Sequence, residues 1–305
     1  MNSIRIRSYI TVKDERAVFE LWQNLLGEMW PLSQETFHHA ILFPLVSAST
    51  HHFVAEKDGA VIGFIAVIAE DKAEIMCLLV SKNEQRKGIG AKLLNTGLDE
   101  LKKKKITEVH LGSGTHTYFW PGVPTNLPVA INFFKKNGFI FESLSADMVL
   151  DLNTYQTPPF VFERVKEIMF ELIKEIEVDK ALTFEKDNFP EWWPYYQRAA
   201  KEKRLNNVLL AKTADNRIVG TVFVGERLVT WEKLLGSKVG SLGALGVAEN
   251  MRSRGIGLAL AARGTEIMQE KGLTKVYLGW TELTDWYGRL GYQIWREFAM
   301  GSLKF

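Results

Sequence analysis

Two glycine-rich segments of the sequence have the composition of a phosphate-binding turn. One reads QRKGIG and begins at Gln85, and the other reads RSRGIG and begins at Arg252. Each follows an apolar run and precedes an amphipathic helical pattern, so each predicts a turn that opens a helix. Glycine lets the backbone N–H groups at a helix start approach a ligand, and the helix dipole adds partial positive charge there. The segments therefore predict binding of a phosphorylated ligand, with a ligand-free tight turn as the alternative.

Neither segment fits the two commonest phosphate-binding motifs. A dinucleotide-binding fingerprint requires a third glycine three residues after the second one, where the two copies have Leu93 and Leu260. A P-loop requires Gly-Lys-Ser or Gly-Lys-Thr, which both segments lack. The spacing that both copies keep is Gln/Arg-x-x-Gly-x-Gly behind an apolar run that ends in valine. An enzyme that uses ATP or NAD at these turns is therefore disfavoured.

The two segments belong to a long internal repeat. A shift of 167 positions lays residues 85–113 over residues 252–280 without a gap, and 10 of the 29 aligned pairs are identical. A repeat of this length indicates two whole domains rather than a solenoid, whose periods are roughly 20 to 50 residues. We expect the boundary near Thr157, which gives domains of residues 1–156 and 157–305, the second starting with an amphipathic linker helix.

The elements of each copy follow from its hydrophobic periodicity. Each copy reads as a helix, a β-hairpin, a strand, the glycine turn, a helix, a parallel strand, a short helix and two final strands. The hairpins turn at Asp58-Gly59 in the first copy and at Asp215-Asn216 in the second. A strand, a helix that begins at Gly-x-Gly and a parallel strand form a βαβ unit within a mixed sheet. The helix after each turn carries an apolar stripe, which is expected to face that sheet.

The composition is that of an ordinary globular chain. The 305 residues are 46% hydrophobic and 24% charged, and the formal net charge is +2, which gives no argument for a nucleic acid partner. The single cysteine, Cys77, excludes an internal disulfide and is expected in the core. No apolar run reaches the roughly 18 residues of a membrane span, so we expect a cytoplasmic protein without a membrane partner. No His, Cys and carboxylate cluster has the spacing of metal ligands.

The two glycine segments, read with FFKKNGF after the first and WYGRLGY after the second, resemble the GNAT superfamily of N-acetyltransferases, present twice. The resemblance covers nearly the whole chain. It implies an α/β (α+β) fold of two GNAT-like domains, each a mixed, mostly antiparallel twisted sheet flanked by helices, with a splayed central pair of parallel strands. Each domain is then built like half of the dimer that many single-domain relatives form. We therefore expect a monomer with an intramolecular pseudo-dimer, or a weak homodimer.

The resemblance also implies the cosubstrate and the residues that bind it. In this family the turn amides grip the pyrophosphate of acetyl-CoA, and pantetheine lies in the gap beside the splayed strand. No metal is implied. The first site then consists of Leu78, Val80, Gln85, Arg86, Lys87, Gly88, Ile89 and Gly90, and the second consists of Leu245, Val247, Arg252, Ser253, Arg254, Gly255, Ile256 and Gly257.

Two catalytic residues are implied, one in each copy. In the branch of the family that acetylates histone lysines, the general base is a glutamate eleven residues before the motif; Glu74 has this position, and the second copy has Ser241 there. Many other members place a tyrosine four residues before the glycine of the downstream helix, where its hydroxyl reaches the CoA sulfur. Tyr287 has this position, and the first copy has Phe134 there. The alternatives are a strand-entry carboxylate in solvent for Glu74 and aromatic packing for Tyr287.

An aromatic loop distinguishes the first copy from the second. The segment GTHTYFWPGVPTNLP, residues 114–128, replaces a short connection in the second copy. It resembles the aromatic Pro-Gly-Val-Pro loop of a subset of bacterial family members and falls where acceptors usually enter. Tyr118, Phe119 and Trp120 are therefore expected to bind the substrate, with a lid over the core as the alternative. This loop makes the first domain the better-equipped site.

The second copy has an aromatic cluster of its own, WWPYY from Trp192 to Tyr196. Two readings stay open for it. It either lines an acceptor cleft in the second domain or forms core at the domain interface.

The function that the resemblance implies is acetyl-CoA-dependent transfer of an acetyl group to a primary amine of a small molecule or peptide by direct attack. Because an alkylamine is mostly protonated near pH 7, a general base is expected to assist. The division of Glu74 and Tyr287 between the copies leaves an alternative open, a catalytically silent scaffold or sensor that binds acyl-CoA. The sequence does not identify the acceptor amine.

Overall fold

The computed structural model describes residues 4–43, 49–69, 73–112, 120–225 and 229–305. The chain forms two compact units. The first contains residues 1–146 together with the last ten residues, 296–305, and the second contains residues 147–295. The units divide the chain before the predicted boundary near Thr157, because each unit takes its final strand from the other sequence copy. The border between the two repeated sequence segments, near Thr157, stays a proposal.

The first unit has the predicted mixed architecture. Its sheet runs in the order β1-β2-β3-β4-β5 and is antiparallel except between β4 and β5. Strand β1 was not predicted. The helices are α1 (Thr11–Leu26), α2 (Gln34–Phe37), α3 (Ile89–Lys103) and α4 (Pro128–Lys136), and the strands are β1 (Arg5–Ser8), β2 (Phe53–Lys57), β3 (Ala60–Ile68), β4 (Ala73–Val80), β5 (Glu108–Leu111), β6 (Val123–Pro124) and the first part of β7 (Ile140–Asp151).

Local sequence explains how α3 comes to start at the end of β4. The β2–β3 hairpin turns at Asp58 and Gly59, whose φ angles of 52° and 80° are the left-handed values of a two-residue hairpin turn. The predicted apolar stripe of α3 is buried, and its Leu93 and Leu94 pack with Ile65 of β3. Because one face of α3 packs on the sheet, the turn before α3 has a fixed position at the end of β4.

The second unit repeats this architecture. Its sheet runs in the order β8-β9-β10-β11-β12, and only β11 and β12 are parallel. The helices are α5 (Val178–Asn188), α6 (Trp193–Lys201), α7 (Glu232–Leu235), α8 (Ile256–Glu270) and α9 (Thr284–Gly288), and the strands are β8 (Met169–Leu172), β9 (Val208–Lys212), β10 (Ile218–Gly225), β11 (Val239–Val247), β12 (Lys275–Thr281) and the first part of β13 (Gln293–Lys304).

The final strands are exchanged between the sequence copies. The last residues of β13 pair antiparallel with β5 in the first unit, and the end of β7 lies beside β12 in the second. Leu303 accordingly packs at Gly138, and Leu150 packs at Gly291. The prediction of two final strands in each copy is wrong, because β7 does not turn back but continues past Ala146 into the second unit.

The predicted linker helix is also wrong. Residues 159–161 form a 3₁₀ turn, and β8 follows before α5 begins. β8 pairs with β9, and the buried ammonium group of Lys212 donates hydrogen bonds to Glu171 at 2.9 Å and to Glu177 at 2.7 Å. The helical pattern of this segment is therefore overridden by strand pairing and by the ion pairs of the buried Lys212. Within the described parts of the chain, no helix is long and apolar enough to cross a membrane.

Candidate functional site

The first glycine turn links β4 to α3 and leaves the space above it open. Gly88 precedes α3 with φ of 80°, and Arg86 has φ of 62°. Among the described atoms, none beyond the chain neighbours lies within 4 Å of a Cβ built on Gly88. The side-chain amide of Gln85 donates a hydrogen bond to the carbonyl of Val80 at 2.9 Å, which ties the turn to the end of β4. The backbone at the start of α3 is therefore accessible to a ligand.

The second turn, between β11 and α8, repeats this geometry. Gly255 has φ of 91° and Ser253 has φ of 63°. The Arg252 Nε–H donates to the carbonyl of Val247 at 3.1 Å. Glutamine and arginine are interchangeable at the first motif position because each supplies a side-chain N–H that reaches the carbonyl five residues earlier.

The two parallel strands of each unit separate next to the turn. Among the described residues, β4 pairs with β5 from Ala73 to Ile75 only, and β11 pairs with β12 from Val239 to Leu242 only. In the described part of the chain, the rest of β4 and β11 therefore has no strand partner on the side of the neighbouring parallel strand. The predicted splayed pair is confirmed in both units.

In the first unit this gap continues as a cavity of about 960 Å³. Its lining includes Gly88 and Gly90 of the turn, Leu78 on β4, and Trp120 and Pro124 after β5. The glycine turn and the open part of β4 therefore belong to one cavity.

The second unit has a cavity of about 550 Å³ at the matching place. Gly255 and Gly257 form its turn end, and Leu245 lies along it on β11. Trp286 and Tyr287 of α9 line its side. The two cavities therefore share their position in the fold but differ in size and in the aromatic side chains of the wall.

A segment before β8 covers the second turn. Phe160 and Arg164 of this segment line the cavity, and the Arg164 Cβ lies 3.8 Å from a Cβ built on Gly255. The guanidinium group of Arg289, which follows α9, lies over the Phe160 ring at 5.2 Å from its centre. Together with Arg252, these arginines place three cations in the wall, against the one carboxylate of Glu163. The wall therefore has a positive balance, which suits an anionic ligand.

Comparisons with known proteins identify both units. Residues 48–141 match the family model of the GNAT acetyltransferase domain, and residues 170–292 match the model of the GNAT acetyltransferase family. The chain carries two GNAT domains. No curated protein matches it.

Three solved structures match over nearly the whole length of this chain. The first is described as a GCN5-related glucosamine N-acetyltransferase region in a fungal multi-domain GH3 β-N-acetylglucosaminidase; it is 28% identical with a TM-score of 0.89, and the match covers 99% of this chain but only 38% of that chain. A GCN5-related N-acetyltransferase from Sphaerobacter thermophilus is 16% identical with a TM-score of 0.72, covering 99% and 95% of the two chains. A tandem GNAT protein from the clavulanic acid biosynthesis pathway is 13% identical with a TM-score of 0.67, covering 99% and 98%. The last two show the fold alone.

Most of the predicted cofactor residues line the two GNAT cavities. Three have side chains directed elsewhere: Ile89 is buried in the core, Lys87 pairs with Glu84 at 3.1 Å, and Arg254 donates to the Asn250 carbonyl at 3.3 Å. These three are not among the described residues of the cavity walls, and their part in the site stays a prediction. The predicted residues in the walls are Leu78, Val80, Gln85, Arg86, Gly88 and Gly90 in the first unit, and Leu245, Val247, Arg252, Ser253, Gly255, Ile256 and Gly257 in the second.

The two predicted catalytic side chains lie differently with respect to the cavities. Tyr287 is in the wall of the second cavity, 6% exposed and packed edge-on against Trp286 at 4.6 Å. Burial raises the pKa of Tyr287, so its phenol keeps its proton at neutral pH. Glu74 is 2% exposed, so the solvent-exposed alternative is wrong. Ile75, and not Glu74, lines the first cavity, and the role of Glu74 as base stays a prediction.

Of the predicted substrate loop, residues 114–128, the structure describes residues 120–128. Tyr118 and Phe119 lie outside the described residues. Trp120 is buried, its indole N–H donates to the Met76 carbonyl on the open part of β4 at 2.8 Å, and its ring packs at 5.2 Å from that of Trp22. Trp120 therefore anchors the loop on the splayed strand and contributes one face to the cavity wall.

Sequence reasoning missed the side chains that come from outside the repeat motif. Phe160 and Arg164 belong to a segment predicted as helix, and Arg289 carried no signal beyond its place between Tyr287 and Gly291. Cys77 is buried as predicted and also lines the first cavity; burial raises the pKa of its thiol, which disfavours the reactive thiolate. The described residues contain no group of His, Cys, Asp and Glu arranged to hold a metal ion.

Proposed function

We propose that the chain transfers the acetyl group of acetyl-CoA to the primary amine of a small molecule, with amino sugars as the first acceptor class and peptides as the second. The observation that carries this proposal is the pair of cavities, each of which begins at a glycine turn and follows the open edge of a splayed strand. The glucosamine N-acetyltransferase region named for the 28% identical structure supports an amino sugar acceptor.

The residues present fit acetyl-CoA. Gly88 and Gly255 have left-handed backbone angles and each precedes a helix of 15 residues, so free N–H groups and the helix dipole face the place for a pyrophosphate. Arg86 in the first cavity, and Arg164 and Arg289 in the second, add positive charge. When bound, acetyl-CoA supplies an activated acetyl group.

The chain itself would orient the reactants and exclude water. Leu78 and Leu245 on the open strands provide apolar walls for the pantetheine arm. A backbone N–H of the open strand, at Val80 or near Val247, is the proposed donor to the thioester oxygen. Such a hydrogen bond is stronger where apolar side chains exclude water. Tyr287 is the proposed proton donor to the leaving thiolate in the second unit.

The test is a direct assay of acetyl transfer with mass-spectrometric detection of the N-acetyl product. The acceptors are glucosamine, a polyamine, an amino acid and a peptide, each with acetyl-CoA. Transfer to glucosamine supports the proposal, and transfer to the peptide alone moves the acceptor to the second class. Binding of acetyl-CoA without transfer to any amine favours the silent acyl-CoA-binding scaffold, which the position of Glu74 outside the described cavity wall keeps in contention.

Removing the Tyr287 hydroxyl is expected to slow the second unit about tenfold. A thiolate leaves readily near neutral pH, so the expected loss lies below the roughly 100-fold or more that is usual for general acid catalysis. The measurement is the turnover of Tyr287→Phe in a Gly88→Trp background, where only the second turn is intact. Tyr292→Phe is the matched control, since the Tyr292 hydroxyl pairs with Thr265 in the core and not in the cavity wall. Equal turnover of both variants would contradict the role of Tyr287.

Truncating Arg289 is expected to weaken acetyl-CoA binding at the second turn about fivefold. The change removes one cation from the cavity and the contact that holds Phe160 over it, together worth roughly 1 kcal/mol. Calorimetric titration of Arg289→Ala with acetyl-CoA measures this, and the first turn should keep its affinity. Arg217→Ala, at an exposed arginine of the same unit, is the control. An unchanged second affinity would show that the covering segment takes no part in binding.

A further inference from the structure

A carboxyl group is buried among the aromatic side chains of the second unit, away from the glycine turn. Glu185 of α5 is completely buried. Its Oε1 accepts a hydrogen bond from the hydroxyl of Thr221 on β10. Its Oε2 is also buried and has no hydrogen-bond partner among the described residues. A buried carboxylate oxygen without a donor is costly, so its presence calls for an explanation.

A second buried polar atom without a partner lies close to the first. The hydroxyl of Tyr196 on α6 is fully buried and has no hydrogen-bond partner in the described part of the chain. The Tyr196 ring packs against Phe223, which lies two residues after Thr221, the partner of Glu185, on β10. Burial, and then the charge of Glu185, raise the pKa of Tyr196. Two neighbouring oxygens thus have unused hydrogen-bonding capacity in the same apolar space.

Aromatic rings surround this pair. Tyr196 and Tyr195 pack against Phe223 at 4.8 and 4.9 Å, and Phe189 stacks on Trp192 at 5.0 Å. A carboxylate among aromatic faces is the composition that holds an alkylammonium group, since the carboxylate pairs with its charge and the rings attract its cationic face. The same surroundings disfavour an anion.

The polar pair is one strand away from the second cavity. Thr221 pairs with Gly246 of β11, whose neighbours Leu245 and Val247 line that cavity. The ring of Phe189 lies against Gly246, only 2.4 Å from where a Cβ would be. Phe189, on which Trp192 stacks, therefore packs directly against the open strand.

The first unit has no such group at the matching position. Gly63 pairs with Val80 there as Gly220 pairs with Val247 in the second unit. The residue after Gly63 is Phe64, fully buried, where the second unit has Thr221. The polar pair is therefore a property of the second unit and not of the shared fold.

We propose that Glu185 and Tyr196 bind the primary ammonium group of an amine acceptor in the second unit, and that Glu185 accepts a proton from it. The N–H bond of the ammonium breaks, the proton moves to Glu185 Oε2, and the nitrogen keeps the electron pair with which it can attack. Phe189 and Trp192 swing aside to join this site to the cavity. The proton transfer serves the acetyl transfer proposed above and rests on it, whereas amine binding is measurable without acetyl-CoA.

The test is calorimetric titration with glucosamine and with n-butylamine, at pH 6.5 and in two buffers of different ionisation enthalpy. The protein is the Gly88→Trp variant, compared with the same variant carrying Glu185→Gln, Tyr196→Phe or, as the control, Glu191→Gln at an exposed glutamate. We expect amine binding that Glu185→Gln weakens at least tenfold and Tyr196→Phe weakens less. Binding should release most of a proton, because burial raises the pKa of Glu185 to about 7, and Glu185→Gln should abolish that release.

Two results would overturn the inference. One is the failure of both amines to bind, and the other is unchanged affinity and proton release in Glu185→Gln. Retained acetyl-CoA binding at the second turn confirms that the Glu185→Gln variant is folded. If the amines bind as expected and no acetyl product forms, the proposed transfer fails while the amine site stands.

Discussion

Gly88→Trp is expected to abolish acetyl-CoA binding at the first turn and to lower acetyl transfer by the first unit by at least about 100-fold. Gly88 has φ of 80° and an open space above it, so an indole ring there occupies the place proposed for the pyrophosphate. Calorimetric titration measures the number of sites. We expect two for the wild type, one for Gly88→Trp and one for Gly255→Trp.

The matched control for this variant is Gly59→Trp. Gly59 has the same φ of 80° and the same open surroundings, but it lies in the β2–β3 hairpin turn. Backbone strain is thus equal in the two variants, and only Gly88→Trp blocks the cavity. Two binding sites in Gly88→Trp would refute the assignment of the turn. Loss of one site with full activity would place catalysis in the second unit, against the preference for the first domain.

The sequence was sufficient to predict the turns and the strands that flank them. The spacing of Gly88 and Gly90 requires a turn at a helix start, and the repeat places the same turn at Gly255. The apolar runs before and after each turn predict a parallel pair, and both pairs are observed to separate after a short paired segment. These features are local, or are repeated in the chain, so they can be predicted from hydrophobic periodicity and residue spacing.

Features that depend on distant pairing were not predictable in the same way. The last strand of each copy is a single strand because β7 continues into the second unit after Ala146, and nothing in its alternating sequence distinguishes this from a turn. Residues 169–172 have an amphipathic pattern typical of a helix, but pairing with β9 makes them a strand. Which partner a strand finds is decided by tertiary contacts, and a propensity reading does not contain them.

The side chains of the candidate sites divide in the same way. Tyr287 was found because its distance from Gly291 is a local spacing, whereas Glu185 was missed because its importance comes from Thr221 and Tyr196 on other elements. The available signal was a glutamate beside Phe184 on the buried face of α5. An acid on the apolar face of a predicted helix is therefore worth following before the structure is known.

Glu185→Gln is expected to stabilise the protein at alkaline pH relative to the wild type. Burial, only partly offset by the hydrogen bond from Thr221 and by the nearby Tyr196 hydroxyl, raises the pKa of Glu185 from 4.5 to about 7. The protonated folded state is then favoured, so the contribution of this group is fully present below pH 4.5 and is lost as the pH rises through 7. The difference between the folded-state pKa and the ordinary pKa of Glu185 corresponds to roughly 3 kcal/mol of unfolding free energy. The glutamine variant does not lose this free energy at high pH because its amide does not titrate.

Urea unfolding of the wild type and Glu185→Gln at pH 4, 6, 7.5 and 9 measures this difference. The ionisable group that faces Glu185 from α6 is Tyr196, whose raised pKa keeps it protonated over this range, and β10 contributes only the Thr221 hydroxyl. The exposed Glu191→Gln variant should follow the wild type at every pH. A constant difference between wild type and Glu185→Gln would mean that the carboxyl group does not change charge in the folded state near neutral pH. The alternative result is a difference in unfolding free energy that grows with pH and that a bound amine reverses. That result would support amine binding at Glu185, since an ammonium partner stabilises the ionised carboxylate that the empty site disfavours.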